Sequence, residues 1–107
     1  QEQVRTDIDQ AQVWVSEEQG KILGFLGMQG HQILGLFVRK TEQNKGIGKA
    51  LLDQVKHEQS RLSLMVYEKN ERAIRFYQRE GFLLQGRHLD LLTGEAEWKM
   101  RWRRDLD

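Results

Sequence analysis

Short apolar runs separated by turn residues open the chain. Residues 12–16 (QVWVS) alternate between apolar and polar, residues 21–28 (KILGFLGM) are apolar with interspersed glycines, and residues 17–20 separate them as a turn. A further apolar run, residues 31–38 (HQILGLFV), follows a turn at residues 29–30. This pattern predicts an antiparallel meander of three strands.

The apolar period then changes from that of a strand to that of a helix. Between Gly46 and about Gln59 apolar residues recur four positions apart, which predicts an amphipathic helix. Its buried side would carry Ile47, Ala50, Leu51, Leu52 and Val55. Leu62, Leu64 and Val66 alternate with less apolar residues and predict a strand. We expect this strand to run parallel to the one before the helix, as in a β-α-β unit.

A second helix and two closing strands complete the pattern. Asn70 is a favourable N-cap and Gly81 a favourable terminator for a helix over residues 71–80, in which Ala73, Ile74 and Tyr77 share a face. Residues 82–90 and 95–102 read as strands joined by a turn. The predicted fold class is therefore α/β (α+β), with a mixed, mostly antiparallel central sheet and two flanking helices.

Length and charge limit the classes of protein that fit. A chain of 107 residues is expected to form a single domain, and its net charge of +1 favours neither nucleic acid nor an anionic membrane as a partner. The absence of cysteine excludes a disulfide framework and a thiolate nucleophile. No stretch has the length of a membrane span or the pattern of a signal peptide. We expect a cytoplasmic protein.

The segment Gln43–Lys49 (QNKGIGK) carries the clearest chemical signal. It lies where the third predicted strand gives way to a helix, and its two glycines allow a ligand to approach the backbone. Helix N-termini favour anions, yet Lys45 and Lys49 flank this one, with Arg39 and Lys40 just upstream. A bound anion would relieve this conflict. The alternative is a glycine-rich turn with solvated lysines.

The spacing argues against two common nucleotide sites. A Walker loop needs Gly at position 43 and Ser or Thr at position 50, but the chain has Gln43 and Ala50, and Ala50 lacks the hydroxyl that ligates magnesium. A dinucleotide fingerprint needs a third glycine where Leu51 stands. What remains is a pyrophosphate cradle of two glycines after a strand.

Two segments in the correct order resemble the signatures of the GNAT superfamily of acyl-CoA N-acyltransferases. Residues 43–48 are similar to its Gln/Arg-x-x-Gly-x-Gly/Ala signature, and residues 70–82 to Asn-x-x-Ala-x-x-Phe-Tyr-x-x-x-Gly-Phe. Residues 12–102 can be laid on the strands and helices of that family, most nearly of its small bacterial members. The resemblance implies the GNAT acyl-CoA acyltransferase fold.

The resemblance also implies how acetyl-CoA, the expected co-substrate, is bound without a metal. The backbone of the third strand would pair with the pantetheine, the glycine-rich segment would hold the pyrophosphate, and the second helix would border the cofactor. In the same order, these cofactor-binding residues are Leu36, Phe37 and Val38; Gln43, Asn44, Lys45, Gly46, Ile47, Gly48 and Lys49; and Asn70, Ala73 and Phe76.

Tyr77 corresponds to the family's catalytic tyrosine, which the resemblance places near the thioester sulfur. A phenol there could protonate the departing thiolate, and the Val38 N–H could stabilise the oxyanion. On periodicity alone, the favoured interpretation of Tyr77 is a half-buried core residue, and only the motif favours the catalytic role. The general base stays open, because Met65 occupies the position of a glutamate that some relatives use. Glu68, His31, His88 and a water relay remain as alternatives.

The implied function is transfer of acetyl from acetyl-CoA to a primary amine, on a small molecule or a protein, by direct attack in a ternary complex. Family members usually begin with a strand and two helices that form one wall of the acceptor groove, whereas this sequence opens near the second strand. Either the sequence is an incomplete copy, or another chain supplies that wall, or a short variant covers its exposed sheet face by association, for example as a homodimer. One alternative is a non-catalytic acyl-CoA-binding module. Another, a nucleic-acid module using Arg101, Trp102, Arg103 and Arg104, is less favoured because one terminal cluster carries it.

Overall fold

The computed structural model describes residues 2–105, which form seven strands and two helices. The chain divides into two compact units, Gln1–Gln59 and Ser60–Asp107. Among the described residues no helix is both long enough and apolar enough to cross a membrane.

The first unit is an antiparallel meander followed by one helix. Its strands are β1 (Glu2–Ile8), β2 (Ala11–Glu18), β3 (Lys21–Gln29) and β4 (Gln32–Val38), and each pairs with the next in chain order. A 3-10 turn (Lys40–Glu42) then leads to helix α1 (Ile47–Glu58). The turn from β2 to β3 has positive φ at Gln19 (52°) and Gly20 (78°), the geometry of a type I′ hairpin. The predicted meander is confirmed.

Strand β1 was not predicted from the sequence. Every residue of β1 except Gln3 is exposed, so no strongly apolar face marks the strand in the sequence. Its place comes from a complete antiparallel register with β2, in which Val4 lies opposite Val15 and Ile8 opposite Ala11. Backbone pairing with a neighbouring strand therefore defines an element whose side-chain pattern is weak.

Helix α1 packs on the strands of its own unit through the apolar side predicted from its period. Ile47, Leu51, Leu52 and Val55 are each at most 2% exposed. Gly24 in β3 makes the close packing of the first helical turn feasible. A Cβ on Gly24 would lie 2.7 Å from the Phe37 carbonyl oxygen and 3.3 Å from the Ile47 side chain. The bare backbone of β3 thus allows the start of α1 to sit against the end of β4.

The second unit contains one helix and three strands. They are β5 (Arg61–Tyr67), helix α2 (Glu71–Arg79), β6 (Leu83–Leu89) and β7 (Ala96–Arg103), and β7 pairs antiparallel with both β5 and β6. One face of these strands is buried and carries Leu62, Leu64, Val66 and Met100. The alternation predicted for β5 is confirmed.

The residues predicted to start and terminate α2 are also confirmed. The Asn70 side chain accepts a hydrogen bond from the Ala73 N–H at 3.2 Å, which makes Asn70 the N-cap. Gly81 has φ +94°, a left-handed conformation that terminates the helix, and the Phe82 N–H donates to the Tyr77 carbonyl at 2.9 Å. The observed α2 ends at Arg79, one residue before the predicted end. The parallel relation expected for the strands flanking α1 stays a prediction.

Candidate active site

The side of β4 that faces away from β3 carries a specific subset of the backbone groups predicted to bind pantetheine. The Arg39 N–H donates to the Leu23 carbonyl at 2.8 Å, which fixes which residues of β4 direct their polar groups toward β3. By the alternation of an antiparallel ladder, Phe37 shares that direction, whereas Leu36 and Val38 direct their N–H and C=O groups away from β3. Of the three predicted residues, Leu36 and Val38 therefore present hydrogen-bonding groups on that side.

Gln43 orders the end of this edge. Its side-chain amide donates to the Val38 carbonyl oxygen at 3.2 Å. The bond satisfies the carbonyl of Val38, whose N–H also points away from β3. Gln43 was predicted as part of the pyrophosphate loop, so this contact assigns it a second role, in positioning the strand end.

The loop between the 3-10 turn and α1 has the backbone of an anion cradle. Asn44 (φ 65°) and Gly46 (φ 81°) both adopt the left-handed region, and Gly46 is the N-cap residue of α1. The helix has no side-chain cap hydrogen bond and no acidic residue in its first turn, so its first N–H groups have neither of the usual intramolecular partners. A Cβ built on Gly46 meets nothing within 4 Å, which shows open space over the loop.

The lysines that flank this loop carry local carboxylate partners. The Lys45 ammonium lies 3.0 Å from Glu42, and Lys49 lies 3.7 Å from Asp53. The hydrogen bond from Lys45 lowers the pKa of Glu42. Both lysine side chains are about 60% exposed, so these ion pairs lie at the surface and are screened by solvent. The cations at this helix start therefore repel one another less than the sequence suggested, because Glu42 and Asp53 offset their charge. Both acids lie outside the first helical turn.

An acyl-CoA fits this set of groups in the first unit. The uncapped helix N-terminus, the open space at Gly46 and the two exposed lysines suit a pyrophosphate, and the outward backbone groups of Leu36 and Val38 suit an extended amide chain. Gly48 is half-buried and Ile47 anchors the loop in the core. The structure thus brings all predicted residues of the first unit into one continuous stretch from β4 to α1.

Helix α2 presents the predicted residues of the second unit. Ala73 and Phe76 are half-buried, and Tyr77 is 8% exposed. The Tyr77 ring makes edge contacts with Phe76 and Phe82, with centroid distances of 5.2 and 5.3 Å. These contacts fix the ring, so Tyr77 is a core residue of its unit. The core reading and the catalytic reading of this residue are therefore compatible.

The Tyr77 hydroxyl is protonated over the whole physiological range. Burial raises the pKa of Tyr77 to about 12. Within residues 2–105 the hydroxyl forms no hydrogen bond, and Ser16 Oγ is the one side-chain atom there that is both fully buried and unpaired. The phenol is accordingly a free hydrogen-bond donor that still reaches solvent.

Glu68, one of the candidate bases, is engaged in its own network. Its carboxylate accepts hydrogen bonds from Arg87 at 2.6 and 3.1 Å and from the Trp98 indole at 3.1 Å. The bonds from Arg87 are the main reason that the pKa of Glu68 is lowered, and the Trp98 bond adds to the effect. A carboxylate with a lowered pKa is a poorer base, so this network argues against Glu68 in that role. His88 lies 3.2 Å from Glu97, and His31 is exposed at a turn.

Sequence reasoning missed the partners of these groups because they are distant along the chain. Glu68 is 19 residues from Arg87 and 30 from Trp98, and no short motif marks either pairing. Tyr67, whose hydroxyl donates to Asp90 at 3.0 Å, is a further example. The bond from Gln43 to Val38 spans only five residues, but it depends on the course of the 3-10 turn.

Comparison with known proteins identifies the family. The Acetyltransferase (GNAT) domain family matches residues 9–83, which is more than half of the chain. The peptidyl-lysine N-acetyltransferase YiaC of Escherichia coli K12 is 42% identical over 93 residues, covering 86% of this chain and 64% of its own length. The peptidyl-lysine N-acetyltransferase YjaB of the same organism is 31% identical over 85 residues, covering 78% and 58%. The chain belongs to the GNAT acetyltransferase family.

Solved structures agree with this fold. A Bacillus anthracis protein assigned as a streptothricin acetyltransferase, solved in complex with acetyl coenzyme A, superposes with a TM-score of 0.82 at 20% identity, covering 92% of this chain and 65% of that one. The apo solution structure of Escherichia coli YjaB gives a TM-score of 0.77 at 26% identity, covering 87% and 65%. The predicted mixed α/β GNAT fold is confirmed. The chain spans about 58–64% of the length of the curated relatives named above.

Proposed function

We propose that the protein is an acetyl-CoA-dependent N-acetyltransferase that acts on primary amines. The observation that carries this proposal is the first unit's combination of an outward Val38 N–H with an uncapped α1 N-terminus opening at Gly46. Membership of the GNAT family and the named activity of the relatives support the same reaction.

In this proposal acetyl-CoA, which donates the acetyl group, is held mainly by backbone groups. The outward groups of Leu36 and Val38 would pair with the pantetheine amides, and the segment Asn44–Lys49 would hold the pyrophosphate through N–H groups and the two lysines. Phe37 contributes its side chain rather than its backbone, because its polar groups point to β3. In the second unit, Asn70 spends one acceptor on capping α2, and Ala73 and Phe76 supply the apolar border.

The reaction requires two hydrogen-bond donors from the chain, one at the thioester carbonyl oxygen and one at the departing sulfur. A neutral amine attacks the thioester carbonyl, the C–N bond forms, the C–S bond breaks, and the amine loses a proton to solvent or to a base. The Val38 N–H would stabilise the carbonyl oxygen as charge develops on it, and the Tyr77 hydroxyl would donate to the departing sulfur. Direct attack needs no nucleophile from the protein, which agrees with a chain that has no cysteine.

The acceptor class is proposed from the relatives. Both curated proteins are named peptidyl-lysine N-acetyltransferases, so we propose the ε-amine of a protein lysine as the acceptor. A protein acceptor would need no deep pocket of its own, because only the lysine side chain has to reach the thioester. We propose that the reaction takes place in the cytoplasm.

A non-catalytic acyl-CoA-binding module is the second candidate. The observation that favours it is the engagement of Glu68 by Arg87 and Trp98, which leaves no carboxylate in that network free to act as base. Such a module would bind acetyl-CoA as proposed above without releasing thiol in the presence of any amine.

Thermal shift and thiol release together test both candidates. We expect CoA and acetyl-CoA, but not NAD or ATP–magnesium, to raise the melting temperature; at 100 times the Kd the added stability would be about 2.7 kcal/mol. Lysine peptides should then release free thiol from acetyl-CoA. Stabilisation by CoA without thiol release would support the binding module, whereas a larger shift with ATP–magnesium would refute the acyl-CoA assignment.

A charged substitution at Gly46 provides the variant for this test. Gly46→Glu should abolish the CoA-induced shift, since it adds bulk and negative charge where the pyrophosphate would lie. Gly30→Glu is the matched control, because Gly30 also has positive φ (60°) and open space around its Cβ position but lies in the turn between β3 and β4. Both variants carry the same backbone strain, so a loss specific to Gly46 would report on the loop itself.

A further inference from the structure

Four cations project from one face of the strands in the second unit. They are Arg61 in β5 and Lys99, Arg101 and Arg103 in β7, here called the basic face. In the antiparallel register Arg61 lies directly opposite Arg103, and the next two rows on the same face pair Ser63 with Arg101 and Met65 with Lys99. All four cationic residues are exposed.

The pleat of the strands places these residues on the face opposite the core. Leu62 lies opposite Trp102 and Leu64 opposite Met100, and this intervening set is the buried side. Helix α2 lies on the buried side too, because a Cβ on Gly81 at its end would be 3.3 Å from the Trp102 ring. Successive strand residues alternate between faces, so the basic face is free of the helix of its own unit.

The arrangement is electrostatically unfavourable by itself. Like charges directly opposite each other destabilise a strand pair. Two other surface cations of this unit do have acids beside them, Arg87 with Glu68 and Lys69 with Glu95. Within residues 2–105 none of the four basic-face residues forms an ion pair or a side-chain hydrogen bond. A ligand of opposite charge would therefore gain from all four at once.

The spacing of the charges suits an extended acidic chain. Neighbouring strands lie about 4.8 Å apart, and alternate residues along a strand about 6.7 Å apart, so the basic face is a flat grid of charges at the side-chain spacing of an extended peptide. Leu83 in β6, which is 60% exposed, lies opposite Arg101 and adds one apolar contact to this grid. We propose that the basic face docks an acidic segment of a partner protein.

Nucleic acid fits these features less well. Binding to single strands uses exposed aromatic side chains as stacking platforms, whereas the residues interspersed with the cations here are Ser63, Met65 and Leu83. Only four charges and a net chain charge of +1 offer little of the counterion release on which duplex binding depends.

The identity of the partner rests on the proposed function. If the acceptor is a protein lysine, the docked acidic segment belongs to the acceptor protein, and the basic face selects lysines that have aspartate or glutamate nearby in the sequence. The docking surface itself would exist whether or not acetyl transfer occurs.

The test compares two labelled peptides that differ only in charge. Both carry one lysine and one leucine, and one has a block of four glutamates where the other has four glutamines. In fluorescence anisotropy at low salt we expect the glutamate peptide to bind about tenfold more tightly, which is the combined effect of several exposed ion pairs. Raising the ionic strength to about 0.3 M should largely remove this preference, because the Debye length falls below 10 Å.

Two sets of variants assign the effect to the basic face. Arg101→Ala with Arg103→Ala should abolish the preference for the glutamate peptide, and Arg101→Lys with Arg103→Lys should retain most of it. Arg75→Ala with Arg79→Ala, on the exposed side of α2, removes the same net charge elsewhere and should change nothing. Equal loss in the α2 double variant would refute a local docking surface.

Acetyl transfer to the same peptides separates this proposal from the proposed function. Preference for the glutamate peptide in binding, with no transfer to either peptide, would leave the docking surface standing and refute the enzyme. Transfer to both peptides with equal affinity and equal kcat/KM would support the enzyme and refute the docking surface. Tighter binding of duplex DNA or of phosphatidylserine vesicles than of the glutamate peptide would refute an acidic protein segment as the partner.

Discussion

Tyr77→Phe is the substitution that most directly tests the proposed chemistry. It removes one hydroxyl and keeps the ring contacts with Phe76 and Phe82. Because that hydroxyl has no hydrogen-bond partner among residues 2–105, its loss should change the melting temperature very little. Any effect on turnover would then be an effect on the reaction rather than on folding.

The expected magnitude follows from the pKa of the phenol. The departing thiolate has a conjugate thiol with a pKa of about 8.5, whereas burial raises the pKa of Tyr77 to about 12. Complete transfer of the phenol proton to the thiolate would therefore be uphill by about 5 kcal/mol. We therefore expect Tyr77 to act as a hydrogen-bond donor to the developing thiolate. A hydrogen bond to a charged group is worth about 1.5–3 kcal/mol, which corresponds to a fall in kcat of about 10- to 150-fold.

Steady-state kinetics with varied acetyl-CoA and saturating amine, and then with varied amine and saturating acetyl-CoA, measures this effect. For an interaction made only in the transition state, kcat and kcat/KM should fall together while the KM for acetyl-CoA stays constant. Tyr67→Phe is the control, because it removes a hydroxyl of the same unit that donates to Asp90 instead. A Tyr77→Phe enzyme with more than half of the original kcat, when chemistry limits turnover, would show that Tyr77 is only a core residue.

Three further predictions concern stability, the helix start and association. The raised pKa of Tyr77 means that this group should not affect the free energy of unfolding below pH 10. Between pH 10 and about 12 the free energy of unfolding should fall by up to about 2.7 kcal/mol, because the unfolded chain loses the phenol proton first. In chemical denaturation, the pH dependence of this free energy should differ between the original chain and Tyr77→Phe within that window and should be the same below pH 10. Gly24→Ala should cost about 1–3 kcal/mol and weaken CoA binding, because its methyl group meets the Phe37 carbonyl at 2.7 Å; Gly35→Ala, where nothing lies within 4 Å, is the control in calorimetry, and equal effects would contradict the argument. Phe25 (42% exposed) lies opposite Phe37 (53% exposed) on paired strands, and this exposed apolar surface should make the 107-residue chain self-associate. Light scattering that showed a compact monomer would contradict this prediction.

Local signals were sufficient for most elements of the fold. The four-residue period of Ile47, Leu51 and Val55 predicted α1, and Asn70 with Gly81 predicted the ends of α2, because caps and amphipathic faces depend on residues close together in the chain. The same holds for the two signatures by which the family was inferred, since the loop and the helix that carry them are each contiguous. The site residues drawn from that resemblance stay predictions.

Contacts between distant residues were decided only by the tertiary structure. β1 exists through its register with β2, and Glu68 is hydrogen-bonded by Arg87 and Trp98. Arg61 joins the cations of β7 because two strands far apart in sequence are paired. The outward direction of the Val38 N–H likewise depends on which edge of β4 meets β3. Sequence by itself determined what each segment prefers locally; packing determined which faces meet, because that choice depends on the free energy of the whole assembled core rather than on any one segment.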